Sequence, residues 1–362
     1  MKLFSKTIKS LLLGAIAFIA PAVAGLMFTS CSGVIYDDLD PCPEGVRLRF
    51  VFDYNLEFAN AFPSQVHCLT VLVYNEDGSY RETRTVTDPA LLADENWRME
   101  VDLPEGKYKI LAYGGLACDN STFHFVQTPA PGTNYQDLEV ALDRFVMDRP
   151  IGTDLHPLFW GTTLEKKLAG ENTDFSRAID VEVKKSTMAY DDYTVYMMRD
   201  TNSLRLVMME LNGDPVSDKD FNFEITDCNT EMAWNNSLLP SAPFTYKQWV
   251  GGQQDIGTSA STGNPWLVAF AEFSFGRIVT SNEPRLHVTR SSDGSDVIDL
   301  PLIKLLELQK PERFAKMSLQ EFLDRQHLWN LTFILDQHWN WIQVEVKVDN
   351  WTVRVNRADL QF

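Results

Sequence analysis

Six histidines (His67, His124, His156, His287, His327 and His338) and five cysteines (Cys31, Cys42, Cys68, Cys118 and Cys228) have the widest chemical reach in this sequence. Metal chemistry would need such ligands at short, convergent spacings, and no HExxH, HxH or CxxC occurs. Hydrolysis by a serine nucleophile would need a tight elbow of the GxSxG kind, which is absent. Phosphates have no cradle, because neither GxGxxG nor a Walker-type loop is present. His67 and Cys68 are adjacent, but neighbours on a strand face opposite sides of the sheet, so they cannot work as a pair. Asp191-Asp192 and Asp37-Asp38-Asp40 could gather round calcium, yet no EF-hand spacing orders them, and solvated charge accounts for both. The expectation is a non-enzymatic chain with no catalytic residues, metal, cofactor or small-molecule substrate.

One cysteine stands in a more informative setting. Lys2, Lys6 and Lys9 precede an apolar stretch, Leu11 to Phe28, and small residues then lead to Cys31. That is the layout of a secretory signal. The stretch has the length of a membrane span, but Pro21, Gly14, Gly25 and many alanines argue against one. Met27-Phe28-Thr29-Ser30-Cys31 resembles a bacterial lipobox, which implies cleavage between Ser30 and Cys31 and acylation of Cys31. Each buried methylene contributes about 0.8 kcal/mol, so several chains on one cysteine hold permanently where a single chain holds marginally. The other four cysteines allow three full pairings. Cys68 opens a strand-like run and Cys118 closely follows one, which favours a Cys68–Cys118 bridge and leaves Cys42 and Cys228 free.

The elements that follow read as strands. In VRLRFVFDY, Val46, Leu48, Phe50, Phe52 and Tyr54 alternate with Arg47, Arg49 and Asp53, the period of a half-buried strand. Asp77-Gly78 sits between two such runs and signals a hairpin; Asp293-Gly294 and Asp349-Asn350 are further turns. YTVYMMRDTNSLRLVMMEL reads as strand, turn, strand. Ser318-Leu-Gln-Glu321 is a capping box, with Met317 able to staple onto Phe322, and predicts one short helix. Pro240–Pro265, glycine-rich, reads as a mobile surface loop. Many short strands in two sets predict an all-β protein of two tandem antiparallel sandwiches. The expected division is a signal (1–30), a lipidated tether (31–45), an N-terminal sandwich (46–185) and a C-terminal sandwich (186–362) that carries the helix.

The formal net charge is -18, and the lysines of the leader make the remaining body more acidic still. Such a body repels phosphate backbones, which excludes nucleic acid as a partner. Among nine tryptophans, Trp339 and Trp341 share a strand face, and Trp249 and Trp266 bracket the glycine-rich loop. Exposed together they would form a sugar-stacking platform; on strand patterns they read mostly as core.

Several stretches together resemble a known family. They are IYDDLDPC, VRLRFVFDYN, AFPSQV, VLVYNEDG, LPEGKYKILAYGG and LHPLFWG, then MMRDTNSLRLVM, FEITDCNTEMAWNN, QEFLDRQHLWNLTFIL and VDNWTVRVN. In this order they are similar to the fimbrial anchoring subunits of Bacteroidetes-type pili, the FimB-like or minor-fimbrium anchor lipoproteins. The resemblance implies transthyretin-like Greek-key sandwiches. It also implies a surface-exposed lipoprotein of the outer membrane that holds the base of a fimbrium and limits its length. Asp37, Asp38 and Asp40 resemble the acidic signals that export such lipoproteins to the outer surface. The implied partners are a stalk pilin and the membrane holding the lipid. Stalk pilins of this type polymerise by strand exchange after losing their first strand. A cut there would sever this chain from Cys31, so its first strand should stay. The C-terminal segment WTVRVNRADLQF, through Trp351, Val353, Val355, Leu360 and Phe362, is the candidate pilin contact; its competing reading is an ordinary last strand. The alternative functions are a surface glycan-binding lipoprotein and a lipidated tip or accessory pilin.

Overall fold

The computed structural model describes residues 44–149, 152–168, 170–184, 189–261, 263–349 and 351–360. The expected signal (1–30) and the expected tether up to residue 43, with Ser30, Cys31, Asp37, Asp38, Asp40 and Cys42, lie outside the described residues, as do Asn350 and Phe362, while Gly45, expected at the tether's end, already belongs to the first strand.

The first strand, Gly45–Val51, turns Val46, Leu48 and Phe50 inward while Arg47 and Arg49 face out. Gly45 opens it at φ +147°, where a Cβ would stand 2.1 Å from the Val101 carbonyl oxygen, so a larger residue would push the neighbouring strand away. An eight-stranded sheet forms around it. Its order is Tyr80–Val86, Leu69–Asn75, Gly106–Gly114, Phe159–Thr163, Asp191–Arg199, Gly45–Val51 and Met99–Asp102, and Val181–Val183 pairs beside Gly106–Gly114. One face of this sheet has a core of its own, with Leu48, Val71, Ile110, Val195 and Met197 fully buried. The opposite face carries Leu72, Tyr74, Leu111 and Trp160 into a second core. Leu69–Asn75 is therefore apolar on both sides, and its run of buried residues follows from that.

The second half is a sandwich. A six-stranded sheet runs Val250–Thr258, Pro265–Gly276, Thr201–Glu210, Leu328–Leu335, Trp341–Val348 and Trp351–Asn356. A four-stranded sheet runs Phe244–Lys247, Phe221–Asp227, Arg285–Arg290 and Asp296–Pro301. Leu206, Met208, Phe273 and Phe333 of the first and Phe223, Ile225, Leu286 and Val288 of the second share one buried cluster. A small sheet, Phe123–Phe125, Glu139–Leu142 and Glu231–Ala233, takes two strands from the first half and one from the second. It stitches both halves to the same core.

Several local expectations are realised. The Asp77-Gly78 hairpin joins Leu69–Asn75 to Tyr80–Val86 with Gly78 at φ +85°, and Asp77 Oδ1 accepts from the Ser79 amide. Ser318 Oγ accepts from the Glu321 amide at 3.1 Å, and the helix Leu319–Arg325 begins there. Others need correction. The sheets are mixed, since Gly45–Val51 runs parallel to Asp191–Arg199, and Thr201–Glu210 runs parallel to Leu328–Leu335. The two arms of YTVYMMRDTNSLRLVMMEL do not pair with each other. The first completes the eight-stranded sheet, the second enters the six-stranded one, and the passage between them is Asp200. The glycine-rich stretch expected as a loop supplies the edge strands Phe244–Lys247 and Val250–Thr258, because an edge needs few apolar side chains.

Cys68 and Cys118 form a disulfide, with Cα atoms 5.5 Å apart and a sequence separation of 50. His156 comes within 4.8 Å of both sulfurs, but sulfurs bonded to each other have no thiolate left for a metal. Closing so long a loop restricts the unfolded chain, so Cys68→Ala/Cys118→Ala should lower unfolding free energy by about 2–4 kcal/mol. Urea denaturation of both forms measures this directly.

Candidate assembly site

The two ends of the described chain are held in opposite ways. Gly45–Val51 is flanked on both sides, in parallel by Asp191–Arg199 from Val46 to Val51 and antiparallel by Met99–Asp102 from Gly45 to Leu48. Val46 and Leu48 are inaccessible, and Phe50 stacks against Phe62 and Trp97 at 5.6 and 5.7 Å. Burial of these three side chains stabilises by roughly 6 kcal/mol. Removing this strand would open a groove between Asp191–Arg199 and the edge strand Met99–Asp102.

Trp351–Asn356 has one neighbour, Trp341–Val348, which it meets from Gln343↔Asn356 to Val348↔Trp351. Its other edge pairs with no strand among the described residues. Val355, Val353 and Trp351 share the face of Val344 and Val346, which are buried. Along that face the cover runs out: Val355 leans on the core, Val353 is 37% exposed and Trp351 is 78% exposed. On the opposite face Arg354 pairs with Glu345. The chain then turns back, with Arg357 over the Trp341 ring at 5.1 Å and Leu360 against the core. The structure thus places Trp351, Val353 and Val355 on one side of an edge strand and draws Leu360 away from them.

The four tryptophans weighed for sugar stacking do not make a platform. Trp341 is buried against Phe333, Trp339 packs on Phe221 at 5.1 Å, Trp266 is half-buried, and Trp249 is the exposed one of the four.

No sequence pattern announced the charged junction where the halves meet. Arg277 forks onto Asp324 at 2.9 and 3.0 Å and also donates to the Asn236 carbonyl oxygen. Asn236, at φ +65°, gives its amide to Asp200 Oδ1 at 2.7 Å, while Asp200 Oδ2 has no partner among the described residues. Burial pushes the Asp200 carboxyl up to about 7, against the pull of Arg277 and Asn236. Arg325, its side chain wholly buried, donates to Glu321 at 2.9 Å and covers the rings of Tyr54 and Phe58 at 4.0 and 4.7 Å. It thereby clamps the helix Leu319–Arg325 onto the segment that leaves the first strand. Between these groups lies a cleft of about 700 Å³, lined by Tyr54, Lys109, Trp160, Phe175, Trp234 and Asp324 among others.

Two consequences can be measured. Asp200 has a folded pKa above the ordinary carboxylate value of 3.8, so its contribution is fully favourable below about pH 4 and is lost as pH rises through about 7. Asp200→Asn should flatten that decline in urea unfolding curves taken at pH 4, 6 and 8. Arg325→Met keeps the bulk and removes the charge, and should cost about 3 kcal/mol, read from the denaturation midpoint.

Comparison with known proteins adds to this geometry. A family model described as Mfa2, fimbrillin-A associated anchor proteins Mfa1 and Mfa2, matches residues 39–357. A candidate adhesin from Bacteroides thetaiotaomicron VPI-5482 has a similar structure, with 42% identity and a TM-score of 0.77 over 88% of this chain and 100% of that one. The fimbrial anchor protein Mfa2 from Porphyromonas gingivalis shares the fold, with a TM-score of 0.61 at 16% identity over 86% of this chain and 99% of that one. In sequence, the minor fimbrium anchoring subunit Mfa2 of Porphyromonas gingivalis is 31% identical over 98 residues, 26% of this chain. That match spans 30% of the relative's length. With the family model matching residues 39–357, the chain belongs to the fimbrillin-A associated anchor proteins, a family of fimbrium-associated anchors.

Proposed function

We propose that this protein is an outer-membrane lipoprotein, acylated at Cys31 and exposed at the surface, that anchors the base of a fimbrium and limits its length. In this reading residues 1–30 are a cleaved signal, and 31–45 are a tether whose Asp37, Asp38 and Asp40 direct surface export. The body is two sandwiches, 46–185 and 186–362, with Asp191–Arg199 reaching back into the eight-stranded sheet of the first. The reading rests on one observation above all: the first strand is an inner strand and the last is an edge strand. A subunit that keeps its own first strand has no vacant groove for a donated strand, so a polymer built by strand exchange ends on it. Its contact with the first stalk pilin is then made at the other end of the chain. The free edge of Trp351–Asn356 offers main-chain groups for strand addition, and Trp351 and Val353 offer apolar contacts that no part of the described chain covers. Withdrawing Trp351–Asn356 to donate it whole would break its existing ladder, so lateral addition at the edge is the cheaper route.

Trp351→Lys/Val353→Lys places charges on the edge at exposed positions and should leave the fold intact. Cells carrying it should release fimbriae into the medium while the protein stays with the outer membrane. Fimbriae retained at the normal level would rule out the edge as the pilin contact. Cys31→Ala should move protein and fimbriae together into the medium, and an unchanged membrane fraction would remove the lipid anchor from the proposal.

A further inference from the structure

We propose that a basic groove along the first strand seats phosphate headgroups of the membrane to which the chain is tethered. The inference rests on the lipid-anchor reading of Cys31 and adds an electrostatic contact to it. The groove has a volume of about 770 Å³. Arg47 and Arg49 of Gly45–Val51 stand beside Asp192 and Thr194 of Asp191–Arg199. They share the sheet face that further along carries Met198 and Trp160 into the core common to both halves. Five cations line the groove, Arg47, Arg49, Arg98, Lys166 and Lys167, against one acid, Asp192. The whole chain has the opposite balance, 32 lysines and arginines to 50 acids, so the groove reverses the sign of its surroundings.

Two of the five cations are already matched. Arg47 forks onto Asp192 at 2.8 and 3.0 Å, and Lys167 pairs with Asp53 at 2.6 Å over the Tyr196 ring. The other three meet no carboxylate among the described residues. Arg98 donates to the Glu95 and Trp97 carbonyl oxygens, and Arg49 and Lys166 are exposed. They come from three separate segments: the first strand, the approach to Met99–Asp102, and the stretch after Phe159–Thr163. The nearest acids leave them uncompensated. Glu165 is taken by Arg177 at 3.0 Å, and Glu100 stands opposite Arg47, toward Gly45 and outside the lining.

The chemistry of the groove selects the ligand. Guanidinium forks match the oxygens of a phosphate, and like charges gathered on one face are relieved by an anion. Leu164 and Tyr196 at the floor are themselves buried, so the groove offers charge and no apolar recess for an acyl chain. The acids elsewhere on the body do not cancel this, because beyond about 8 Å physiological salt screens them. An array of phosphates answers three separated cations together, each contributing about fivefold to surface affinity. Residues 32–44 span at most about 45 Å, so a first strand beginning at Gly45 lies within reach of the leaflet that holds an acylated Cys31. A lipid chain and a polybasic patch hold a protein more firmly than either does alone.

The test uses the full-length protein from its native membrane, placed in vesicles of phosphatidylcholine or of phosphatidylcholine and phosphatidylglycerol in equal parts. Acetylation of Lys166 by a water-soluble reagent, read by mass spectrometry, should slow about tenfold in the mixed vesicles. Lys316 and Lys347, exposed on the second half, should react alike in both. The protection should vanish at about 1 M salt and in Arg49→Gln/Arg98→Gln. Arg49→Gln alone, at an exposed position, should weaken it about fivefold with the thermal melt unchanged. The assignment is overturned if Lys166 reacts equally in both vesicles or stays protected in Arg49→Gln. It is also overturned if glycerol 1-phosphate or an oligoglutamate peptide protects Lys166 in detergent as fully as the mixed vesicles do. Retention on phosphatidylcholine vesicles reads the Cys31 anchor by itself: loss of the protein from them removes that reading, whereas retention with Lys166 equally reactive in both removes the groove.

Discussion

The buried ion pair between Arg277 and Asp324, both in the second half, is the fixed charge against which Asn236 and, through it, Asp200 at the junction of the two halves are held. Taking both charges out of water is costly, and the forked geometry together with the Asn236 carbonyl oxygen offsets that cost. The same few ångströms hold Asp200, the single residue through which the chain passes from one sheet to the next, and Asn236 holds Asp200. Backbone connection, ion pair and amide therefore constrain one another. Arg325 adds a second clamp a turn of chain away, over Tyr54 and Phe58. These directional contacts add orientation to a junction whose area is supplied by the apolar core common to both halves.

A second constraint is the state of the two terminal strands. The physics is the same in both, a backbone whose hydrogen-bonding groups need partners, but the neighbours differ. Gly45–Val51 has partners on both sides and apolar side chains in a dry core, so it is committed. Trp351–Asn356 has a partner on one side, and the core beneath it gives out before Trp351. Inner strand and edge strand have different capacities for further pairing, and the polarity of an assembly can follow from that difference alone. The small sheet that joins the halves, and the core common to both, keep the two ends in one folded body.

Much of the fold was legible because it rests on local chemistry. The alternation in VRLRFVFDY, the Asp77-Gly78 and Asp293-Gly294 turns and the Ser318–Glu321 cap each depend on a few adjacent residues. What failed depended on neighbours remote in sequence. YTVYMMRDTNSLRLVMMEL looks like a hairpin, but each arm finds a better partner in a different sheet. His327, which belongs to no motif, is buried against Phe52, where loss of solvent lowers its pKa to about 3. Polar, glycine-rich composition around Val250–Thr258 suggested a loop, because an edge strand exposed on one side has almost no apolar signature.

The sequence by itself determined the all-β class, the short helix, the leader-like N-terminus and the family resemblance, since each is carried by periodicity or by contiguous motifs. Tertiary structure alone decided which strand is inner and which is edge, and that Trp160, Trp234, Arg277 and Asp324 meet round one cleft. Those are properties of pairing across more than a hundred residues of chain, as between Val46 and Asp191 or Trp160 and Asp324. Local propensity holds no record of such pairings, because their free energy exists only once both partners have left water for the same core.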